Sequence, residues 1–449
     1  MRNHRLLVSV ILSLVLFGKS STQDKVQDGG LGKADECNLP QDVLDDIASY
    51  ANVTNQIIDY FTKGPYKGQT WNLLATFVDI FGHRLSGSQA LEDAIDYMVA
   101  ASKMNGLNDV HTEDVEVPHW VRGQESATLI EPRNKNLPML GLGSSVGTPP
   151  EGITAPAIVV QSFDELNALS NDKVNGKIVV YAQPFIDYGT TGQYRRNGAS
   201  AAARKGAVAA LVRSITPFSL ATPHTGSQAY VENVNKIPVA AITLEDADQL
   251  LRMQNDGVNV TINLNMSATS DTKISRNTII DLKGSSSPEK IVVISGHLDS
   301  WDTGDGAMDD GGGSFISWVA PVVLKKLNLQ PKRTLRTILW TAEEQGIIGA
   351  LAYEKGHRAD NDKLNFVMES DFGTFNPRGL KYSGSKTGEC MMREVLKLFS
   401  EINTTEMELV DPGPDISVWT DLGIPGGGLY NANEKYFWYH HSPGDTVNV

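Results

Sequence analysis

Cysteine is scarce: Cys37 and Cys390 are the only two in 449 residues. That excludes a disulfide framework as the basis of the fold, and neither residue sits in a setting that resembles a catalytic thiol. Whether the two pair with each other is left open. Positive charge is also short. Lys and Arg total 39 against 53 Asp and Glu, giving a net charge of −14. Nucleic acid and anionic membrane are therefore poor candidates for the main partner. The apolar run at residues 6–17 is too short to span a bilayer comfortably, and no second stretch is long enough to cross a membrane. No GxxxxGK[ST] motif, internal repeat or low-complexity tract occurs.

The run at 6–17 follows Arg2, His4 and Arg5 and precedes the small residues Gly18, Ser20 and Ser21. This is the pattern of a secretory signal peptide over residues 1–20, with 21–41 a flexible or removable pro-segment. Four glycosylation sequons, at Asn52, Asn259, Asn265 and Asn403, agree with a secreted or lumenal protein. The length implies more than one domain, and 41% hydrophobic with 20% charged residues is globular composition.

Helical spacing is expected over 42–62, 71–81 and 90–104, followed by a strand over 109–117. Residues 118–266 differ: many short β signals are separated by Gly, Pro, Asn and Ser, around an Ala-rich helix that begins at 197 and leads into a strand. They read as a separate module inserted into a domain made of 42–117 and 267–449. From 277 onward strands and helices alternate, at 290–295, 314–327, 334–341, 344–355, 364–370, 388–401 and 426–430. Such alternation means an α/β fold: a mostly parallel central sheet with helices on both faces.

The chemistry sits where apolar strands end. The segment 291–313, IVVISGHLDSWDTGDGAMDDGGG, delivers His297, then Asp299, Asp309 and Asp310. TILWTAEEQG (337–346) ends in Glu343 and Glu344, NFVMESD (365–371) in Glu369 and Asp371, and the tail YHHSPGDT (439–446) adds His440, His441 and Asp445. In open α/β sheets ligands bind at the carboxyl ends of the strands, where these loops gather. Two histidines with three or four carboxylates suit zinc. The carboxylates outnumber what one catalytic zinc needs. One of them bridging two ions about 3.5–4 Å apart accounts for the surplus, and the ions would hold a water between them. A further carboxylate, free of metal, then moves that water's proton to the leaving amine. Glu343 and Glu344 can divide the two tasks. Asp299, two residues past His297, can accept the imidazole's other N–H and fix its tautomer. His83, beside GHRLSGS (82–88), is held open; His111, His119, His224 and His357 have no such company.

These motifs, with PKRTLRTILWTAEEQG, VMESDFGTF and HHSPGDT in the same order, resemble the co-catalytic zinc exopeptidase family that includes bacterial leucyl aminopeptidases and glutamate carboxypeptidases. The resemblance covers most of the chain and implies two zinc ions. Asp309 would be the bridge, His297 and Asp371 would complete one site, and Glu344 and His441 the other. Glu343 would be the general base and then acid, and Asp299 the partner of His297. The module at 118–266 resembles a protease-associated domain bordering the cleft. The family also implies short peptide substrates, dipeptides with free termini among them, a secreted or lysosomal setting, and a homodimer. It further implies a C-terminal helix beyond this sequence, so the loop of His441 is expected to be less supported. The rival readings are a catalytically inactive receptor-like or binding ectodomain on the same fold, and a single-zinc acyl-transfer enzyme.

Overall fold

A computed structural model describes residues 37–448. The expected signal peptide at 1–20, and all but the end of the expected pro-segment at 21–41, therefore lie outside the described residues. Among those described, no helix is long and apolar enough to cross a membrane.

Eight strands build the sheet that carries the chemistry: β1 (Asp109–Val121), β2 (Thr269–Leu282), β3 (Ser287–His297), β4 (Arg333–Trp340), β5 (Leu364–Glu369), β6 (Pro377–Ser383), β7 (Glu406–Leu409) and β8 (Gly426–Asn431). Their spatial order is β1-β2-β4-β3-β5-β8-β6-β7. The four central strands β4, β3, β5 and β8 run parallel. The flanks are antiparallel, through the pairings of β1 with β2, β2 with β4, and β6 with β8. Strands β6 and β7 have no counterpart in the sequence reading. β7 is only four residues long and partly exposed, and β6, PRGLKYS, mixes Pro, Arg, Gly and Lys into a mostly buried strand, so neither shows a clear period.

Alternation along β3 serves both faces of the sheet. Val292 and Ile294 enter one core and Ile291 and Val293 the other. On the first face lies the helix Gly312–Lys326, buried along most of its length. Helices Gln69–Phe81 and Gln89–Met104 cover it, with Phe77 against Phe315 at 5.0 Å and Trp318 Nε1 donating to Ser102 Oγ at 2.9 Å. On the second face Trp340 stacks on Trp419 and meets Tyr353 edge-on. Removing a ring of that size from such a setting typically costs about 3–5 kcal/mol. The Gly-rich run has a steric purpose: a Cβ on Gly313 would stand 1.7 Å from the Ser370 carbonyl, so only glycine lets this helix start against the end of β5.

Several helix expectations change: the Ala-rich helix begins at Tyr188 and not at 197, and the helix expected over 388–401 spans Lys386–Lys397. The stretch 42–62 is two helices, Gln41–Ser49 and Ala51–Thr62, because Tyr50 N–H bonds the Ile47 carbonyl in a tighter turn. The helix after β4 begins at Ile348 and not at 344. Ala342 and Ile347 have φ of 56° and 51°, which breaks the helix and leaves Glu343 and Glu344 on a turn.

Strand β1 runs to Val121, which pairs with Thr269 as β2 begins. Between them the chain forms a second sheet of eight strands. Helices Tyr188–Arg204 and Leu244–Asn255 pack on it, and strand Ala209–Arg213 follows the first of these. A Cys37–Cys390 disulfide ties the start of the described chain to helix Lys386–Lys397.

Candidate metal centre

His297 is the last residue of β3, fully buried. Its Nε2 lies 3.3 Å from Asp309 Oδ1, 3.3 Å from Asp371 Oδ1 and 3.9 Å from Glu343 Oε2. The other oxygen of Asp309 lies 3.2 Å from the Nε2 atoms of both His440 and His441. His441 Nε2 is also 3.0 Å from Glu344 Oε2. All five residues expected to hold metal thus converge, together with His440. The two tail histidines are equidistant from Asp309, and it is the contact with Glu344 that sets His441 apart. Asp371 stands just beyond the end of β5. Glu369, on β5 itself, instead accepts the Ile416 N–H at 3.3 Å.

Asp299 departs from its expected role. It is the Asp299 backbone carbonyl that meets His297 Nδ1, at 3.0 Å, while the carboxylate stands 3.6 Å away. That carboxylate accepts the backbone N–H groups of Glu343 at 3.1 Å and Glu344 at 3.3 Å. The carbonyl therefore fixes the tautomer of His297, and the side chain fixes the turn carrying both glutamates.

Other supporting groups come from dispersed places. Asp310 accepts the N–H of His297 at 3.1 Å and of Gly313 at 2.9 Å. Asp445 accepts three consecutive N–H groups, from Ala307, Met308 and Asp309. His83 is exposed and belongs to neither ligand cluster. Its neighbour Arg84 is the residue that matters in that motif. Fully buried, it donates to the carbonyls of Leu298, Gly82, Asp305 and Gly306, fastening the loop between His297 and Asp309. His224, which the sequence leaves without company, is buried and bonds the His440 carbonyl at 2.7 Å.

The electrostatics suit a cation. Burial pushes the Glu343 carboxyl well above the usual range, and Asp371, Glu344 and Asp299 push it further, against the pull of His297. Burial would lower the His297 imidazole, but Asp299, Asp309 and Asp371 outweigh it and hold it well above its ordinary value. His297 Nε2, Asp309 Oδ2, Glu344 Oε1 and Asp371 Oδ1 are buried without a hydrogen-bond partner. Orphaned donor-set atoms in so negative a pocket fit a divalent metal, whose charge would reverse these shifts. Two clusters of potential ligand atoms, His297–Asp309–Asp371 and Asp309–His440–His441, share Asp309. They open into a cleft of about 660 Å³, whose wall includes Tyr188, Arg196 and Ser227 from the second sheet module.

A sheet that is parallel at its centre, delivering such ligands from its strand ends beside a second β module, defines an α/β metallohydrolase. Residues 277–449 match Peptidase family M28, and residues 131–250 match the PA domain. The chain is 49% identical to carboxypeptidase Q of Xenopus laevis, over 90% of this chain and 86% of that one. It is 49% identical to carboxypeptidase Q of Homo sapiens, over 91% and 87%. A solved Peptidase M28 precursor from Shewanella amazonensis superimposes with a TM-score of 0.82 at 32% identity, covering 91% of each chain. A zinc aminopeptidase from Bacillus subtilis shares the fold, with a TM-score of 0.63 at 18% identity over 86% of this chain and 90% of that one. The chain belongs to Peptidase family M28 and is a zinc-dependent exopeptidase.

Proposed function

We propose that this protein is a secreted dizinc exopeptidase that hydrolyses short peptides, dipeptides with free termini above all. The observation that carries this reading is the sharing of Asp309 by two ligand clusters with Glu343 beside them. One zinc would be held by His297, Asp309 and Asp371, and the other by Asp309, Glu344 and His441. When bound, the ions supply Lewis acidity, making water a nucleophile near neutral pH and polarising the scissile carbonyl. Glu343 takes the proton of the attacking water and passes it to the departing amine. Its side chain is partly open to the cleft, and it is not needed as a ligand.

The cleft is otherwise acidic, and the permanent cations on its wall are Arg195 and Arg196. Arg195 is occupied with Tyr188 and Thr225, whereas Arg196 is exposed and suited to receive a substrate's terminal carboxylate. Exposed asparagines at three of the sequons, Asn52, Asn259 and Asn403, together with the disulfide, support an oxidising, secretory location. We further propose residues 1–20 as signal peptide, a catalytic domain of 42–117 and 267–449 interrupted by a module of 118–266, and a homodimer, which sedimentation would test.

A panel of dipeptides, free, N-blocked and C-amidated, assayed with and without a chelator, tests the function. Chelator-sensitive cleavage of free dipeptides, weakened by blocking either end, is expected. Cleavage that survives removal of metal would overturn the reading.

A further inference from the structure

The sequence His-Thr-Gly-Ser at 224–227 lies within the PA-matching module and bonds there to Gly141, Gly143 and Ser214, yet it also bonds to the metal centre. His224 Nδ1 donates to the His440 carbonyl at 2.7 Å, and Thr225 N–H to the His441 carbonyl at 2.9 Å. His441 Nδ1 in turn donates to the Thr225 carbonyl at 3.3 Å, and Ser227 Oγ to the Glu344 carbonyl at 2.7 Å. The residues reached are Glu344, His440 and His441, all on one side of Asp309. The other side is held from within the catalytic sheet: His297 by Asp299, Asp310 and Ser314.

Two features show how closely this segment is fitted. His441 has φ of 59°, a conformation rare outside glycine, and the Thr225 N–H grips the carbonyl of this one residue. Gly226 has φ of 136°, a conformation side chains rarely adopt, and packs directly against the Arg195 guanidinium. Buried Arg195 itself donates to the Thr225 carbonyl at 3.3 Å, holding the acceptor that fixes the His441 tautomer.

We propose that residues 224–227 are a strap through which the inserted module sets the affinity of one ion only, that of Asp309, Glu344 and His441, leaving the ion of His297, Asp309 and Asp371 unaffected. The proposal rests on the two-ion reading. His224, Thr225 and Ser227 act on the metal through His440, His441 and Glu344 and are positioning residues. The module is then a working part of the metal centre as well as a wall of the cleft.

The test is a zinc titration of the full chain, stripped of metal and read with a competing chromophoric chelator, alongside the melting temperature of the metal-free protein. Ser227→Ala and His224→Leu remove their bonds; Ser227→Thr and His224→Asn keep a donor in place. The two removals should raise one dissociation constant about ten- to a hundredfold and leave the other within about twofold, and the conservative variants should restore it. Ser227 is only partly buried, so its pair carries the test if His224→Leu does not fold. Both constants rising together, or neither moving, would overturn the proposal. A wild-type chain that binds a single zinc would instead overturn the two-ion reading, a result distinct from two ions indifferent to the strap.

Discussion

The carboxylate of Asp299 accepts the backbone N–H of Glu343 at 3.1 Å, joining the loop after β3 to the turn after β4. A carboxylate can accept from Glu343 and Glu344 together, whereas an amide offers one oxygen and turns its NH₂ against the other N–H. Asp299→Asn should therefore keep its zinc while kcat falls about 10–100-fold, with KM changed far less. Steady-state kinetics with metal analysis on the same sample checks this. A fall in zinc content with kcat per bound zinc unchanged would place Asp299 on the metal and not on the turn.

Glu343 is assigned the proton and Glu344 the metal. Glu343→Gln should keep full zinc content and lose about 10²–10⁴-fold in kcat. Glu344→Gln should lose metal as well as turnover. Reversed phenotypes would exchange the two roles.

Arg84 is a stability residue within reach of the chemistry. Arg84→Met would take the side-chain donors from four carbonyls, of which that of Leu298 is buried with no other donor and that of Gly306 keeps the Gly311 N–H. A stranded buried acceptor costs about 1–3 kcal/mol, so a loss of about 1–3 kcal/mol is expected. Chemical denaturation of the zinc-loaded protein measures it.

His224 gives the fold an acid-sensitive point. Burial holds its imidazole down at about 4, and the neighbouring His441 and Arg195 oppose a positive charge there as well. The unfolded chain therefore binds a proton that the folded chain refuses. Stability from this site is complete above the ordinary histidine value near 6.5 and is lost as pH falls from there toward 4. His224→Asn lacks this titration, so the variant's melting temperature should gain on the wild type across that interval. A difference independent of pH would contradict the assignment.

The strand ends were readable because each is an apolar run that stops at a ligand type, as in IVVISGH and NFVMESD. The acids after TILWTA were readable for the same reason, although the backbone reversal at Ala342 and Ile347 that keeps them off the helix was not. Non-glycine residues at positive φ leave no sequence signal. The contacts that sequence could not supply join distant segments. Arg84 meets Gly306 and His224 meets His440 across 222 and 216 positions. Buried Arg84 leaves no mark in the sequence because its partners are backbone carbonyls, which carry no side-chain pattern. At Asp299 the spacing from His297 points to the carboxylate, whereas the backbone carbonyl, which carries no sequence signal, meets the imidazole.

Zinc content of the wild type and of Asp309→Asn tests the shared ligand most directly, since Asp309 alone joins both clusters. The expected result is two zinc ions per wild-type chain and loss of both in the variant, with the fold intact by circular dichroism. One zinc retained at full affinity in Asp309→Asn would contradict a bridging Asp309.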